Sequence, residues 1–267
     1  MSVSNQDDTQ PGIATGGGFL TWFSVALLLV AVVSGATASI VGFGIGSLLT
    51  PLLAARFGTS VAVAAVTLPH ALATGLRCWR LRASIDRGVL TRFGLLSAAG
   101  ALAGALLYTR LGPGPLTGVL GGLLLLTAVA QLTGWSARWH PQGPLVAVFG
   151  LLSGFFGGVA GNQGGLRSAA LTAFRLSPVR FVATATATGV LVDLARTPVY
   201  LWNSGSKLLP LAVPIGIASA GVLVGTVLGE RMLLGLSPRR FGQIVGVAIG
   251  LLGIWMLSIG LGVTPLE

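Results

Sequence analysis

Apolar residues in this chain fall into eight runs separated by short polar breaks: Phe19 to Ala55, Val61 to Leu76, Phe93 to Tyr108, Leu116 to Leu132, Leu145 to Phe174, Phe181 to Leu194, Leu208 to Gly229 and Phe241 to Leu261. The runs are continuous rather than alternating, which selects membrane-spanning helices over the short dyad-patterned strands of a barrel. The first run is about twice the roughly 20 residues that one crossing needs. Glycine inside a helix costs about 0.5–1 kcal/mol relative to alanine. Gly35, Gly42, Gly44 and Gly46 therefore mark an interruption within that run, spanning Gly35 to Pro51. A second interruption, Gly150 to Leu171, carries Asn162, Gln163 and Arg167, a polar trio that lipid does not tolerate.

The breaks between runs repeat in order. RFGTS (Arg56 to Ser60) follows the first broken run and RLSPVR (Arg175 to Arg180) the second. Between the halves, TGWSARWHPQGP (Thr133 to Pro144) reads as a linker with two interfacial tryptophans, Trp135 and Trp139. The plan is thus a disordered tail over residues 1–18, a membrane repeat over 19–132, the linker over 133–144, a second repeat over 145–261 and a short tail over 262–267. In register, the halves place Gly46 on Gly164 and Ser60 on Pro178, both 118 apart, and Gly100 on Gly221 and Gly104 on Gly225, both 121 apart. GALAG (Gly100 to Gly104) and GVLVG (Gly221 to Gly225) have the small-xxx-small spacing that lets helices pack closely in lipid.

Composition agrees: 53% of the 267 residues are hydrophobic and 8% are charged, against about 25% charged in soluble domains. The net charge of +10 comes from basic residues scattered among apolar blocks, which suits membrane orientation rather than nucleic acid. Their distribution also discriminates between topologies. If each broken run crosses once, Arg77, Arg80, Arg82, Arg87, Arg92, Arg138, Arg196 and Lys207 (eight) face Arg56, Arg110, Arg175, Arg180, Arg231, Arg239 and Arg240 (seven). If each is a hairpin that returns to its own side, the first five join Arg138, Arg175, Arg180, Arg231, Arg239 and Arg240 (eleven) against Arg56, Arg110, Arg196 and Lys207 (four). The bias towards the cytoplasm favours the hairpins. The fold expected is therefore an all-α polytopic membrane protein of two inverted repeats, each a broken-helix hairpin plus three transmembrane helices, with both termini outside.

A chain that reverses inside the membrane exposes backbone N–H and C=O groups, tolerated only where protein or a watery cavity covers them. The second arm of such a hairpin starts near the midplane with its positive end free, which suits an anion. Those arms begin near Gly46 and Gly164, which places Gly44, Gly46, Ser47, Thr50, Asn162, Gln163, Gly164 and Arg167 at a candidate binding site. A buried arginine needs a partner. Either a bound oxyanion supplies it, matching the guanidinium fork, or Arg167 pairs with Asp193 or with backbone carbonyls. Ser47 and Thr50 either face the site or bond their own helix. His70 and Asp193 lie within the second segment of each half and could carry a coupling proton.

Other chemistries lack their residues. A lone Cys78 and two separated histidines, His70 and His140, give no disulfide and no His or Cys metal centre. No nucleophile, base and orienter occur together, and no P-loop is present. The chain is read as a non-enzyme without cofactors. Its expected partners are a small anionic substrate and membrane lipid, with no nucleic acid and room for self-association into a homo-oligomer.

The two glycine-rich breaks, GFGIGSLLTPLL (Gly42 to Leu53) and GLLSGFFGGVAGNQGG (Gly150 to Gly165), resemble the sulfite exporter TauE/SafE family of bacterial anion transporters. The first matches the family's G-x-G-x-x-x-x-P pattern with Gly44, Gly46 and Pro51. The second departs from it, since Asn162 and Gln163 interrupt the glycines and Ala169 stands where a proline is expected. The resemblance covers residues 19–261. It implies a secondary transporter exporting sulfite, organosulfonates or related anions across the plasma membrane, coupled to the proton gradient. The alternative is a channel or carrier for another small solute, with Arg167 structural.

Overall fold

A computed structural model describes residues 16–134, 143–232 and 238–264. The expected tail as far as residue 15, and Trp135, Arg138, Trp139 and His140 of the linker, lie outside the described residues. Among the described residues ten helices follow in order: α1 Gly16–Val41, α2 Ile45–Phe57, α3 Thr59–Arg80, α4 Arg87–Tyr108, α5 Pro113–Thr133, α6 Pro144–Ala160, α7 Gly164–Leu171, α8 Pro178–Leu208, α9 Ala212–Met232 and α10 Pro238–Gly260. No strand occurs among them. Six helical stretches of the described chain are long and apolar enough to cross a membrane, one of them Pro178–Arg231, which contains α8 and most of α9. Prolines occupy the first turn of α5, α6 and α8, where the missing amide costs no hydrogen bond.

Both broken runs double back. Phe23, near the start of α1, meets Phe57 at the end of α2 edge to face, with centroids 5.8 Å apart. Phe149, near the start of α6, joins Leu171 and Phe174 beyond the second break in one cluster with Phe93. The reversals are made at glycine: Gly42 (φ 87°), Gly44 (φ 137°) and Gly161 (φ 71°) adopt left-handed conformations that side chains rarely enter. At the Phe57 end of the bundle, Thr59 meets Thr117 at 2.6 Å and the Tyr108 hydroxyl donates to the Ser60 carbonyl at 2.7 Å. α6 enters from the other end, where Gly150 lies against Phe93.

The small-residue motifs do pack helices. Gly100 and Gly104 of α4 lie against the carbonyls of Leu151 and Phe155 on α6, and Gly225 and Gly229 of α9 lie against Val32 and Ala36 on α1. A β-carbon at any of the four would overlap the neighbouring backbone. The same contacts thus recur in both halves, but at offsets other than those expected. The hairpin arms correspond at 119 (151 − 32 and 155 − 36), and α4 corresponds to α9 at 125 (225 − 100 and 229 − 104). The four-residue difference from the expected 121 is one helical turn. Glycines at Gly221, Gly225 and Gly229 make that slip invisible in sequence, and only the partner helix resolves it.

Three segment boundaries also differ from expectation. α3 continues four residues past Leu76, so Arg77 is buried within a helix instead of belonging to the basic loop. α4 begins at Arg87 because Asp86 caps it, its carboxylate accepting the Val89 amide at 3.0 Å. The expected loop from Arg196 to Lys207 is helical, because α8 runs 31 residues through Pro198. Pro198 leaves the Leu194 carbonyl without its helical amide, and beside it Thr197 donates to the Asp193 carbonyl at 2.6 Å. Gly104→Val should destabilise the protein by about 1–3 kcal/mol through forced separation of α4 and α6. Gly122→Ala, on an open face of α5, should instead gain up to about 1 kcal/mol; opposite shifts in thermal unfolding in detergent would check both.

Candidate functional site

The two chain reversals meet. Gly46 lies against the Gly161 carbonyl and Gly164 against the Phe43 side chain, so close that a β-carbon at either position would clash. The Ser47 hydroxyl donates across the contact to the Asn162 carboxamide oxygen at 3.3 Å. Between them is a cavity of about 10 Å³, lined by both turns together with His70, Arg77 and Arg167. It has room for about one water. The helix starts at Ile45 and Gly164 both open onto it, and the first amides of each arm have no intrahelical acceptor.

The expected residues are brought together with one exception. Gly44, Gly46, Ser47, Asn162, Gln163, Gly164 and Arg167 all line the cavity. Thr50 does not: it is fully buried, and its hydroxyl points towards Gly161 without a hydrogen-bond partner. A residue six positions past Gly44 has turned away from the mouth of its own helix. Arg167 is 2% exposed and donates from Nη2 to the Gly42 carbonyl at 3.3 Å, while its Nε and Nη1 have no partner. Gly189 of α8 leaves the space that its guanidinium fills, with Nη1 3.0 Å from where a β-carbon would stand. The amide nitrogens Nδ2 of Asn162 and Nε2 of Gln163 are likewise buried and unpartnered. Several donors, with one acceptor, the Gln163 Oε1, thus surround one small space, an arrangement that costs free energy unless something bonds to them.

Asp193 does not pair with Arg167. Its Oδ1 takes two bonds from Arg196, from Nε at 3.1 Å and Nη2 at 2.8 Å. Its Oδ2 takes His70 Nδ1 at 2.7 Å and the Thr74 hydroxyl at 3.1 Å. Arg196 also donates to the Gly157 carbonyl at 2.6 Å, beside Tyr200, whose hydroxyl donates to the Gly158 carbonyl. Asp193 and Arg196 are therefore buried core groups joining α8 to α3 and α6. His70 belongs to both arrangements, since it also borders the cavity.

Sequence reasoning missed Arg77 and Arg196, having assigned both to loops. Arg77 is 2% exposed, lines the cavity, and donates to the Ala38 carbonyl at the end of α1. The signal was present: His70, Thr74 and Arg77 recur at i, i+4 and i+7, and Asp193, Arg196 and Tyr200 at i, i+3 and i+7, each one helix face.

Buried, unpartnered polar groups enclosed by two chain reversals, within a bundle of membrane-length apolar helices, define the protein as a multi-pass membrane protein built around a polar centre. The chain belongs to the sulfite exporter TauE/SafE family, whose model matches residues 27–256. Membership implies a membrane transporter of the sulfite or sulfonate exporter type. No curated protein and no solved structure matches the chain. Because Asp193 neutralises Arg196 where both are buried, Asp193→Ala should destabilise the protein by about 3–5 kcal/mol. Asp193→Leu combined with Arg196→Met should recover most of that loss, measured by thermal unfolding in detergent.

Proposed function

We propose that the protein is a secondary transporter that exports a small oxyanion, such as sulfite or an organosulfonate, across the plasma membrane by alternating access around the meeting point of its two hairpins. The observation that carries this reading is the group of unpartnered buried donors at one point: Nε and Nη1 of Arg167, Nδ2 of Asn162 and Nε2 of Gln163. An oxyanion with three or more acceptor oxygens satisfies them together, helped by the two helix starts that open onto the same space. A neutral solute would leave the guanidinium charge uncompensated in a low-dielectric interior.

The cavity is smaller than any oxyanion, so passage requires the hairpins to part, first towards one side and then towards the other. An inverted relation of the halves gives such a motion two equivalent end states. It is supported by the entry of α6 from the end opposite Phe57 and by the recurrence of contacts at 119 and 125. Sidedness follows from the basic residues. With Arg77, Arg167 and Arg196 inside the protein, Arg80, Arg82, Arg87, Arg92, Arg175, Arg180, Arg231 and Arg240 belong to the Phe93 end. Arg56, Arg110 and Lys207 belong to the other end, so the Phe93 end faces the cytoplasm. His70 is the group that links a coupling proton to the anion, because it borders the cavity and is bonded to Asp193.

Arg167→Ala should abolish both sulfite-induced thermal stabilisation of the purified protein and sulfite efflux from proteoliposomes. Arg167→Lys, which keeps the charge and loses the fork, should bind at least tenfold more weakly. Full binding by Arg167→Lys would instead favour a carrier or channel for a different solute, with this arginine structural. His70→Gln should retain anion exchange between equal pools while losing the response of net efflux to an imposed pH gradient.

A further inference from the structure

The charges around the cavity do not cancel, and the repeat shows why. Arg77 and Arg196 are equivalent residues (196 − 77 = 119), and the carbonyls they bond, those of Ala38 and Gly157, are equivalent too (157 − 38 = 119). Three residues before Arg196 stands Asp193, which neutralises it. Three residues before Arg77 stands Thr74, whose hydroxyl is spent on the His70 carbonyl and on Asp193. Among the described residues no carboxylate lies within ion-pair distance of Arg77, and none within that distance of Arg167. Glu230, on the cytoplasmic side of Arg77, is held by Arg80 at 2.9 Å. α1 and α6 carry no charged residue, and Arg56 of α2 lies at the end of the helix away from the cavity. Asp193 is balanced by Arg196, and His70 uses Nδ1 on Asp193. What remains is two positive charges, Arg77 and Arg167, both 2% exposed and both with an unpartnered Nε, lining one cavity.

We propose that the transported species is doubly charged: the site selects small divalent oxyanions over monovalent ones of the same shape, with Arg77 as the second charge-reading residue. This rests on the anion-site reading above and adds the valence. A single negative charge leaves one guanidinium unbalanced where Coulomb energies are several-fold larger than in water, whereas a dianion neutralises both. The pairing of Asp193 with Arg196 sets the number at two, because an equivalent carboxylate at position 74 would cancel Arg77.

Methylphosphonate and methanesulfonate have nearly the same size and shape, and at about pH 9, above the histidine range, the first carries two charges and the second one. Isothermal titration of the purified full chain with each ion should give at least tenfold tighter binding of methylphosphonate. Arg77→Gln, which removes the charge and keeps a shorter polar side chain, should bring that ratio close to one while methanesulfonate still binds. Arg77→Lys should restore the preference and guards against a merely misfolded glutamine variant. Equal or tighter binding of methanesulfonate by the wild-type chain, or a preference unchanged in Arg77→Gln, overturns the valence proposal and leaves the anion site standing. Binding of neither ion, nor of sulfite, would overturn the anion site itself.

Discussion

Everything in this fold depends on covering two backbone reversals inside a medium that supplies no hydrogen bonds. A helix that ends in mid-membrane exposes carbonyls, and the one that begins there exposes amides. The chain covers one break with the other: Gly46 on the Gly161 carbonyl, Gly164 on Phe43, Ser47 on Asn162. Buried arginines reach the carbonyls at the ends of the first arms, Arg77 at Ala38 and Arg196 at Gly157, and Arg167 reaches Gly42 within the first turn. Arg167 thus fills a carbonyl beyond the end of its helix, while Arg77 and Arg196 add a second bond to carbonyls that already accept the Gly42 and Gly161 amides.

That solution brings charge to the centre. Guanidinium groups suit the task because they offer several donors in a rigid plane and stay protonated, but each carries a charge that lipid does not screen. The protein treats its equivalent arginines differently. Arg196 is matched by Asp193 and becomes part of the scaffold between α8 and α6, while Arg77 and Arg167 stay unmatched at the cavity. Structural support and binding potential therefore come from the same residue type, separated by whether a carboxylate stands one turn away.

The frame around the centre is made rigid by close backbone contact rather than by polar bonds. Glycines let α4 lie on α6 and α1 on α9 almost backbone to backbone, the route to tight association where lipid tails are as apolar as the side chains. Each hairpin's first arm is thereby tied to a helix of the opposite half. A displacement of one hairpin must carry its partner helix with it, which favours movement of whole units over local fraying.

The sequence alone determined the membrane class, the two breaks and most of the polar residues at the cavity, because hydropathy and glycine clusters report local preferences: no run of that length and apolarity stays in water, and no helix tolerates Gly42 to Gly46 unbroken. The doubling back of both broken runs was legible for a related reason, since the loop arginines divide unevenly only if each run returns to its own side. Only the tertiary structure decided which arginines were loop residues, because Arg77 and Arg196 look like the end of an apolar run until the Ala38 and Gly157 carbonyls of neighbouring helices are seen beside them. It alone set the repeat register at 119 and 125, since glycines spaced every four residues match equally well one turn apart until a neighbouring backbone selects among them. And it alone separated Arg196 from Arg77 and Arg167, because the pairing of buried charges is a property of distances between helices, on which the order of residues along the chain is silent.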